Sequence, residues 1–270
     1  MIALPPDLVR ALKTVVKQPT LLVAADFDGT MAPFNAEIMQ VRALPESMAA
    51  VVQLAELPNT PTVILSGRDL ESLRQLTDAQ PPLRLTGSHG AQPDSDIAAG
   101  TGPTVALTPA QQQLMSDIET VFADVMTVHP DAWVERKPFA RVFQTRALSE
   151  RSPVLADELE HQVLAELGKL PGVFITAGNR SVEASVIHVT KGTWLAAEAK
   201  AQQADAVFYI GDCVTDERAF AVLTGPLDVS VRVHPDAPNA DTAAKFQVTD
   251  IATASEVLQL LAELRTEAVR

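Results

Sequence analysis

Asp26-Phe27-Asp28-Gly29-Thr30 sets two carboxylates one residue apart, directly after the apolar run Leu21-Leu22-Val23-Ala24-Ala25. While a chain stays extended, residues i and i+2 point to the same side. Gly29 can adopt the backbone conformation that turns the chain and re-aims the second carboxylate. Such a pair can divide a displacement at phosphorus between its members. One carboxylate attacks as the nucleophile. The other gives a proton to the leaving oxygen and later takes one from water. A single aspartate at a strand end more often serves a turn or a helix cap. The full five-residue string after a buried strand is the more specific signal.

Gly211-Asp212-Cys213-Val214-Thr215-Asp216 forms a second constellation. Asp212 and Asp216 stand four apart at a strand-to-helix junction. Magnesium takes oxygen ligands in octahedral geometry and keeps several waters. Asp26 and Asp212 can bind it directly, and Asp216 directly or through water. Taken alone, Asp212 and Asp216 fit a helix cap better; beside Asp26 and Asp28 the metal reading prevails. Ser66 ends the run Thr62-Val63-Ile64-Leu65 and can donate to a phosphoryl oxygen. Lys191 opens a helix, where a positive side chain opposes the helix dipole unless an anion lies nearby. Mg2+ together with Lys191 suits the charge of a transferring phosphoryl group.

These residues need a scaffold that gathers them. Leu21–Ala25, Thr62–Leu65, 83–86, 206–210, Val229–Val233 and Phe246–Val248 read as strands, and 46–57, 191–202, 215–223 and 254–264 as helices. The segment 8–16 near the N-terminus also looks helical. Strand-helix alternation predicts an α/β fold with a doubly wound parallel-sheet (Rossmann-like) core. Ligands in such sheets bind at the carboxyl ends of the strands, where Asp26, Ser66 and Asp212 stand.

The middle of the chain reads differently. A helix over 109–125 capped by Thr108, strands over 132–137 and 141–146, a helix over 153–167, and strands over 173–177 and 181–188 about a Gly178-Asn179 turn give an inserted αββαββ cap domain. The expected division is 1–100 for the first part of the core, 101–187 for the cap and 188–270 for the second part of the core. The Gly-, Asp-, Ser- and Pro-rich stretch 93–104 and the stretch 188–191 are the expected linkers, through which the cap closes on substrate and excludes water. Alternation puts Glu135 with Lys137, and Gln144 with Arg146, on one side of their strands. Such side chains can hydrogen-bond sugar hydroxyls; for any one pair a solvated outer face is the simpler reading.

The formal net charge of −13 over 270 residues disfavours nucleic acid and anionic membrane as partners, and no basic run offsets it. The same field repels a phosphorylated substrate, so a phosphate site must bring its own cations. Composition is 47% hydrophobic but only 4% aromatic, which makes the expected core aliphatic. Cys213 is the single cysteine, so no intrachain disulfide forms. The first residues lack the basic start and long apolar stretch of a signal peptide, and no uninterrupted apolar run approaches the ~20 residues of a membrane span, so neither is expected. A cytoplasmic monomer acting on a small molecule is the expectation. No G-x-x-x-x-G-K-[ST] string occurs, which disfavours a P-loop kinase.

Asp26-Phe27-Asp28-Gly29-Thr30-Met31-Ala32-Pro33, Ser66-Gly67-Arg68, Gly87-Ser88-His89-Gly90-Ala91, Val134-Glu135-Arg136-Lys137, Lys191-Gly192, Gly211-Asp212 and Thr215-Asp216-Glu217 occur in that order. Together they resemble the haloacid-dehalogenase superfamily of aspartyl phosphatases, and within it the trehalose-6-phosphate phosphatase family. The resemblance runs from about Leu21 to Phe220. It implies hydrolysis of trehalose 6-phosphate to trehalose and phosphate, in trehalose biosynthesis. It implies that Asp26 is phosphorylated, that Asp28 is the acid/base, and that Thr30, Ser66 and Lys191 hold phosphate. Mg2+ would sit on Asp26, the Asp28 backbone carbonyl, Asp212 and Asp216. Glu135, Lys137 and Glu183 would contact the sugar from the cap, and Arg68 and His89 would line the core side.

Three departures from the family pattern occur: Cys213 replaces a second Asp, Gln92 replaces Glu, and Gln144-Thr145-Arg146 replaces His-Tyr-Arg. They leave open another substrate, such as sucrose phosphate, a glucosylglycerol phosphate or a mannosylglycerate phosphate. They also leave open a catalytically weak regulatory protein that binds sugar phosphate.

Overall fold

The computed structural model describes residues 4–35, 37–94, 107–128, 132–178, 180–233 and 241–270. The chain divides into two compact units, one formed by Met1–Thr104 with Val189–Arg270 and the other by Val105–His188. Positions 95–104 of the expected linker and Asn179 of the expected turn lie outside the described residues.

In chain order the first unit holds α1 (Pro6–Val15), β1 (Leu21–Ala25), α2 (Pro45–Ala55), β2 (Thr62–Leu65), α3 (Leu70–Thr77), β3 (Arg84–Gly87) and β4 (Gln92–Pro93). The second unit follows with α4 (Pro109–Val128), β5 (Trp133–Arg136), β6 (Ala140–Gln144), α5 (Arg146–Arg151), α6 (Pro153–Leu167), β7 (Phe174–Gly178) and β8 (Ser181–Ser185). The chain then returns to the first unit with α7 (Lys191–Ala201), β9 (Ala206–Gly211), α8 (Val214–Phe220), β10 (Val229–Val233), β11 (Phe246–Val248) and α9 (Ile251–Val269).

β1 is buried at every residue, as a strand covered on both faces must be. Its alternate side chains serve two cores. Leu21, Val23 and Ala25 join Ile64, Phe208 and Ile210 beneath Leu8, Leu12, Val257, Leu258 and Leu261. Leu22 and Ala24 join Val63, Leu65, Val207 and Tyr209 beneath Trp194, Leu195, Ala219 and Phe220. The sheet runs β11-β10-β9-β1-β2-β3-β4. Its strands are parallel except for β4, which pairs antiparallel with β3. β4 and α3 add to the elements that sequence patterning indicates. α3 is one short amphipathic stretch with Leu73 and Leu76 buried, capped by Asp69, whose side chain accepts from Ser72 N. Arg265 of α9, 1% exposed, donates to the carbonyls of Val16, Gln18, Pro19 and Asn59 and to Thr60 Oγ1. It thereby pins the segments that feed β1 and β2.

The second unit is a four-stranded antiparallel sheet, β5-β6-β8-β7. Phe143, Val182 and Ala184 are buried on one face, and Phe122 of α4 packs on Phe143 with ring centroids 5.5 Å apart. The expected αββαββ order gains a short helix, α5. Thr145 is fully buried; its N–H and hydroxyl donate to the Arg180 carbonyl, and its hydroxyl also bonds Glu160. This inward anchor ends β6 at Gln144. Arg146 therefore opens α5 at an exposed position and does not share a strand face with Gln144, which corrects the reading of 141–146 as one strand.

Candidate active site

β1 lies between β9 and β2, and all three point their carboxyl ends the same way. Asp26 follows β1, and its N–H donates to Ile210 O of β9 at 2.9 Å. Ser66 follows β2, and its N–H donates to Thr86 O at 2.9 Å. Asp212 follows β9. Parallel pairing thus delivers three side chains remote in sequence to one rim.

The loop after β1 is a tight turn: Met31 N and Ala32 N both donate to Phe27 O, and Gly29 N donates to Ala32 O. Gly29 has φ +75°, and a Cβ there would lie 2.2 Å from Asp212 Oδ2. Both the turn and the approach of Asp212 require glycine. Thr30 in this turn is fully buried, and its Oγ1 has no hydrogen-bond partner among the described residues. A buried hydroxyl without a partner is costly and matches a site for an oxyanion ligand.

Lys191 opens α7 behind a capping box in which Thr190 Oγ1 accepts from Thr193 N and Thr193 Oγ1 accepts from Thr190 N. Its ammonium meets Asp26 Oδ1 at 2.8 Å and Asp216 Oδ1 at 2.8 Å, so two anions resolve the conflict with the helix dipole. Close packing of α7 on α8 makes this possible: a Cβ on Gly192 would lie 2.0 Å from Arg218 O.

Asp216 is fully buried and saturated. Its Oδ1 accepts from Lys191 Nζ at 2.8 Å and Tyr209 OH at 2.5 Å. Its Oδ2 accepts from Asp212 N, Cys213 N and Cys213 Sγ at 3.1, 2.9 and 3.0 Å. A carboxylate has about four lone-pair sites, so direct metal ligation would cost Asp216 some of these bonds. Asp212 differs: its Oδ1 is enclosed and has no hydrogen-bond partner among the described residues.

One donor atom from each of Asp26, Asp212, Cys213 and Asp216 falls within 4.8 Å of the others. Three carboxylates against one ammonium leave excess negative charge in an enclosed space. Burial, reinforced by Asp216 and only partly offset by Lys191, pushes Asp26 well above the ordinary carboxylate range. Burial and Asp216 likewise push Asp212 up to about 7. Burial opposes ionisation of Asp216 as well, but Lys191 and the Cys213 and Tyr209 hydrogen bonds outweigh it and hold its carboxyl low. Burial would lower Lys191; Asp216 and Asp26 overcome it and raise its ammonium well above the ordinary value. The excess charge, the oxygen-rich donors and the unpartnered Asp212 Oδ1 fit a divalent cation.

Asp28 turns away from this cluster. Arg68 grips it in a bidentate pair, Nε to Oδ2 at 2.6 Å and NH2 to Oδ1 at 2.7 Å. The Arg68 NH1 donates to Ile38 O, and the guanidinium lies 5.9 Å from the Phe27 ring centroid. Only the Asp28 backbone carbonyl is therefore left for the metal role that the resemblance gives it. Ser66 is buried, and its Oγ accepts from Arg68 N at 3.1 Å. His89 N donates to Ser66 O, and the His89 ring packs on Gly67, where a Cβ would lie 2.5 Å from Cε1. Gln92 Oε1 accepts from Ser88 Oγ and Leu70 N, which ties this loop to the start of α3.

In the second unit, strand register sets Glu135 and Glu183 either side of Val142 on one sheet face. Lys137 Nζ meets Glu183 Oε2 at 2.8 Å, and Gln144 Nε2 donates to Glu135 Oε2 at 3.0 Å. Arg146 stands outside this group. Sequence reading did not anticipate Arg68 as the partner of Asp28, nor Tyr209 as a donor to Asp216. The adjacency of β1 and β2 was the available signal for the first pair, since it sets Arg68 beside the loop that carries Asp28.

The family model described as Trehalose-phosphatase matches residues 24–252. A trehalose-phosphate phosphatase of Mycobacterium ulcerans (strain Agy99) is 28% identical over 90% of this chain, and the chain spans 62% of that protein's length. Trehalose-phosphate phosphatase B of Arabidopsis thaliana is 27% identical over 94% of this chain and 69% of its own length. Among solved structures, the C-terminal domain of C. albicans trehalose-6-phosphate phosphatase superposes with a TM-score of 0.78 at 21% identity, covering 96% of each chain. That likeness establishes the shared fold.

Proposed function

The chain belongs to the trehalose-phosphatase family, and from that premise we propose that it hydrolyses trehalose 6-phosphate to trehalose and phosphate through an aspartyl-phosphate on Asp26. The observation that carries this reading is Lys191 bridging Asp26 and Asp216 at 2.8 Å each, beside Asp212 at the carboxyl edge of the sheet. Carboxylates and a fixed positive charge close together in one enclosed place support this reading.

Asp26 and Asp212, with the Asp28 carbonyl, would hold Mg2+. When bound, Mg2+ supplies positive charge that favours the ionised carboxylates and polarises the phosphoryl group. Asp26 attacks phosphorus, with Lys191 balancing charge on the phosphoryl oxygens. Thr30 Oγ1, without a hydrogen-bond partner among the described residues, and Ser66 Oγ donate to those oxygens. Asp28 protonates the leaving sugar oxygen and then activates water. To do so it exchanges at least one of its bonds to Arg68 for a bond to substrate. Asp216 acts as a positioning residue, because its oxygens are occupied by Lys191, Tyr209 and the Asp212-Cys213 backbone. Within the smaller unit Glu135, Lys137 and Glu183 would offer donors and acceptors to sugar hydroxyls, and within the sheet unit Arg68 and His89 would do so. The reading takes the chain as a cytoplasmic monomer, in a compartment where Cys213 persists as a thiol.

A phosphate-release screen with and without Mg2+ tests this. The panel is trehalose 6-phosphate, sucrose phosphate, a glucosylglycerol phosphate and a mannosylglycerate phosphate. Fastest Mg2+-dependent release from trehalose 6-phosphate is expected. Preference for another member reassigns the substrate, and binding without turnover of any member contradicts the catalytic reading.

A further inference from the structure

The acidic centre contains a sulfur atom that the proposed chemistry does not use. Cys213 Sγ falls within 4.8 Å of donor oxygens from Asp26, Asp212 and Asp216. It donates to Asp216 Oδ2 at 3.0 Å and lies 2.9 Å from Thr215 Oγ1. A purely structural role explains it poorly. The same Asp216 oxygen already accepts two backbone N–H groups of this loop, and a thiol is a weak donor beside them. Cys213 is the residue before α8 and closes a capping box with Asp216, a position that Ser, Thr, Asp or Asn would fill with a stronger oxygen acceptor. Asp212 Oδ1, enclosed without a hydrogen-bond partner among the described residues, is a second sign that a ligand belongs in this space.

Donor chemistry decides which cation gains. Magnesium favours hard oxygen donors and charge; sulfur favours softer ions such as Zn2+ and Cd2+. An aspartate at 213 would set a fourth carboxylate against Asp216. Cysteine removes that charge and adds a soft atom, and both changes move preference the same way.

Resting on the metal reading of this centre, we propose that Cys213 is a sulfur donor of the site, so that a thiophilic divalent cation binds it more tightly than Mg2+ and competes with Mg2+ there. On binding, the metal–sulfur bond forms and the S–H proton leaves to solvent; no electron is transferred.

Because Cys213 is the only cysteine in the chain, any sulfur signal reports on this position. The experiment titrates metal-stripped wild type, Cys213→Ser and Cys213→Asp with Cd2+ alone and with Mg2+ alone. Ultraviolet sulfur-to-cadmium charge-transfer absorption and calorimetric affinity are the readouts, and thermal melting checks each fold. Wild type gains the absorption at one equivalent of Cd2+, and neither variant does. Cd2+ affinity falls about tenfold or more in Cys213→Ser, the scale of altered metal shells, while Mg2+ affinity changes less. Should Cys213→Ser fail to fold, Cys213→Asp and the wild-type spectrum carry the comparison. Mg2+ binding with no Cd2+ absorption in wild type, or equal Cd2+ affinity with and without sulfur, overturns the sulfur assignment alone. Failure of wild type to bind either ion overturns the metal reading and this inference together.

Discussion

In the sheet unit, Lys191 is held between Asp26 and Asp216, with side-chain exposures of 1%, 6% and 0%. In the smaller unit, Lys137 meets Glu183 on one face of an antiparallel sheet, at 13% and 18%. Both are lysine–carboxylate contacts at 2.8 Å, yet their physics differs. Desolvation of the first group is expensive and is offset only because every charge has partners. It shifts the titration of every member and holds the ammonium in one place. The second group keeps partial contact with water, so under the proposed reading its partners exchange for sugar hydroxyls at a smaller cost. Rigid charge suits phosphoryl transfer, and exchangeable polar groups suit recognition.

The sharpest way to break the contrast is Asp26→Asn. Turnover measured by phosphate release is expected to fall about a thousandfold or more while the fold persists, since a nucleophile has no substitute. Retained turnover removes the nucleophile assignment. Lys191→Met comes next. It leaves Asp26 and Asp216 buried without their counter-charge, at a cost of about 3–5 kcal/mol in denaturant unfolding. A change below about 1 kcal/mol would equate this pair with exposed ones. Asp28→Asn is expected to slow steady-state turnover about a hundredfold without a comparable loss of stability.

A pH experiment sharpens the contrast further. Asp212 sits at about 7 in the folded, metal-stripped chain against an ordinary 3.8, with burial the leading cause and Asp216 the next. The folded state therefore binds more protons than the unfolded state between those values. Stability contributed by this group is present below 3.8, is lost as pH rises towards about 7, and is flat above. Melting temperatures across that window should decline more in wild type than in Asp212→Asn. An identical decline in both would show that Asp212 is not the group responsible. The smallest effect belongs to the sheet face: Lys137→Ala should cost less than about 1 kcal/mol of stability and act chiefly by raising KM for the sugar phosphate. A large loss of stability there would erase the distinction between the two units.

Much of the rim of the first unit can be read before any coordinates. An apolar run that ends in Asp or Ser marks the exit of a central parallel strand, and Leu21–Ala25, Thr62–Leu65 and Ala206–Gly211 all appear as such strands. Lys191 at a helix start implies an anion, and Asp26 and Asp216 supply two. The grip of Arg68 on Asp28 spans 40 positions and exists only because β1 and β2 are neighbours, which no local pattern states. Saturation of Asp216 depends likewise on Tyr209 and on how the loop after β9 folds back. In the smaller unit, alternation groups Glu135 with Lys137 but carries β6 too far. Thr145 looks like any strand residue until Glu160 and Arg180 draw it inward. Helix α3 escapes because it is short, and its leucine spacing competes with the loop signals around Ser66-Gly67-Arg68.

Phosphate on Asp26 is the direct test of the mechanism. Asp28→Asn, mixed with trehalose 6-phosphate and Mg2+, is quenched in acid within milliseconds and mapped by peptide mass spectrometry. Added phosphate on the peptide that contains Asp26, absent from the Asp26→Asn control, is the predicted result. Phosphate release without any such adduct, or an adduct on a different residue, contradicts the account.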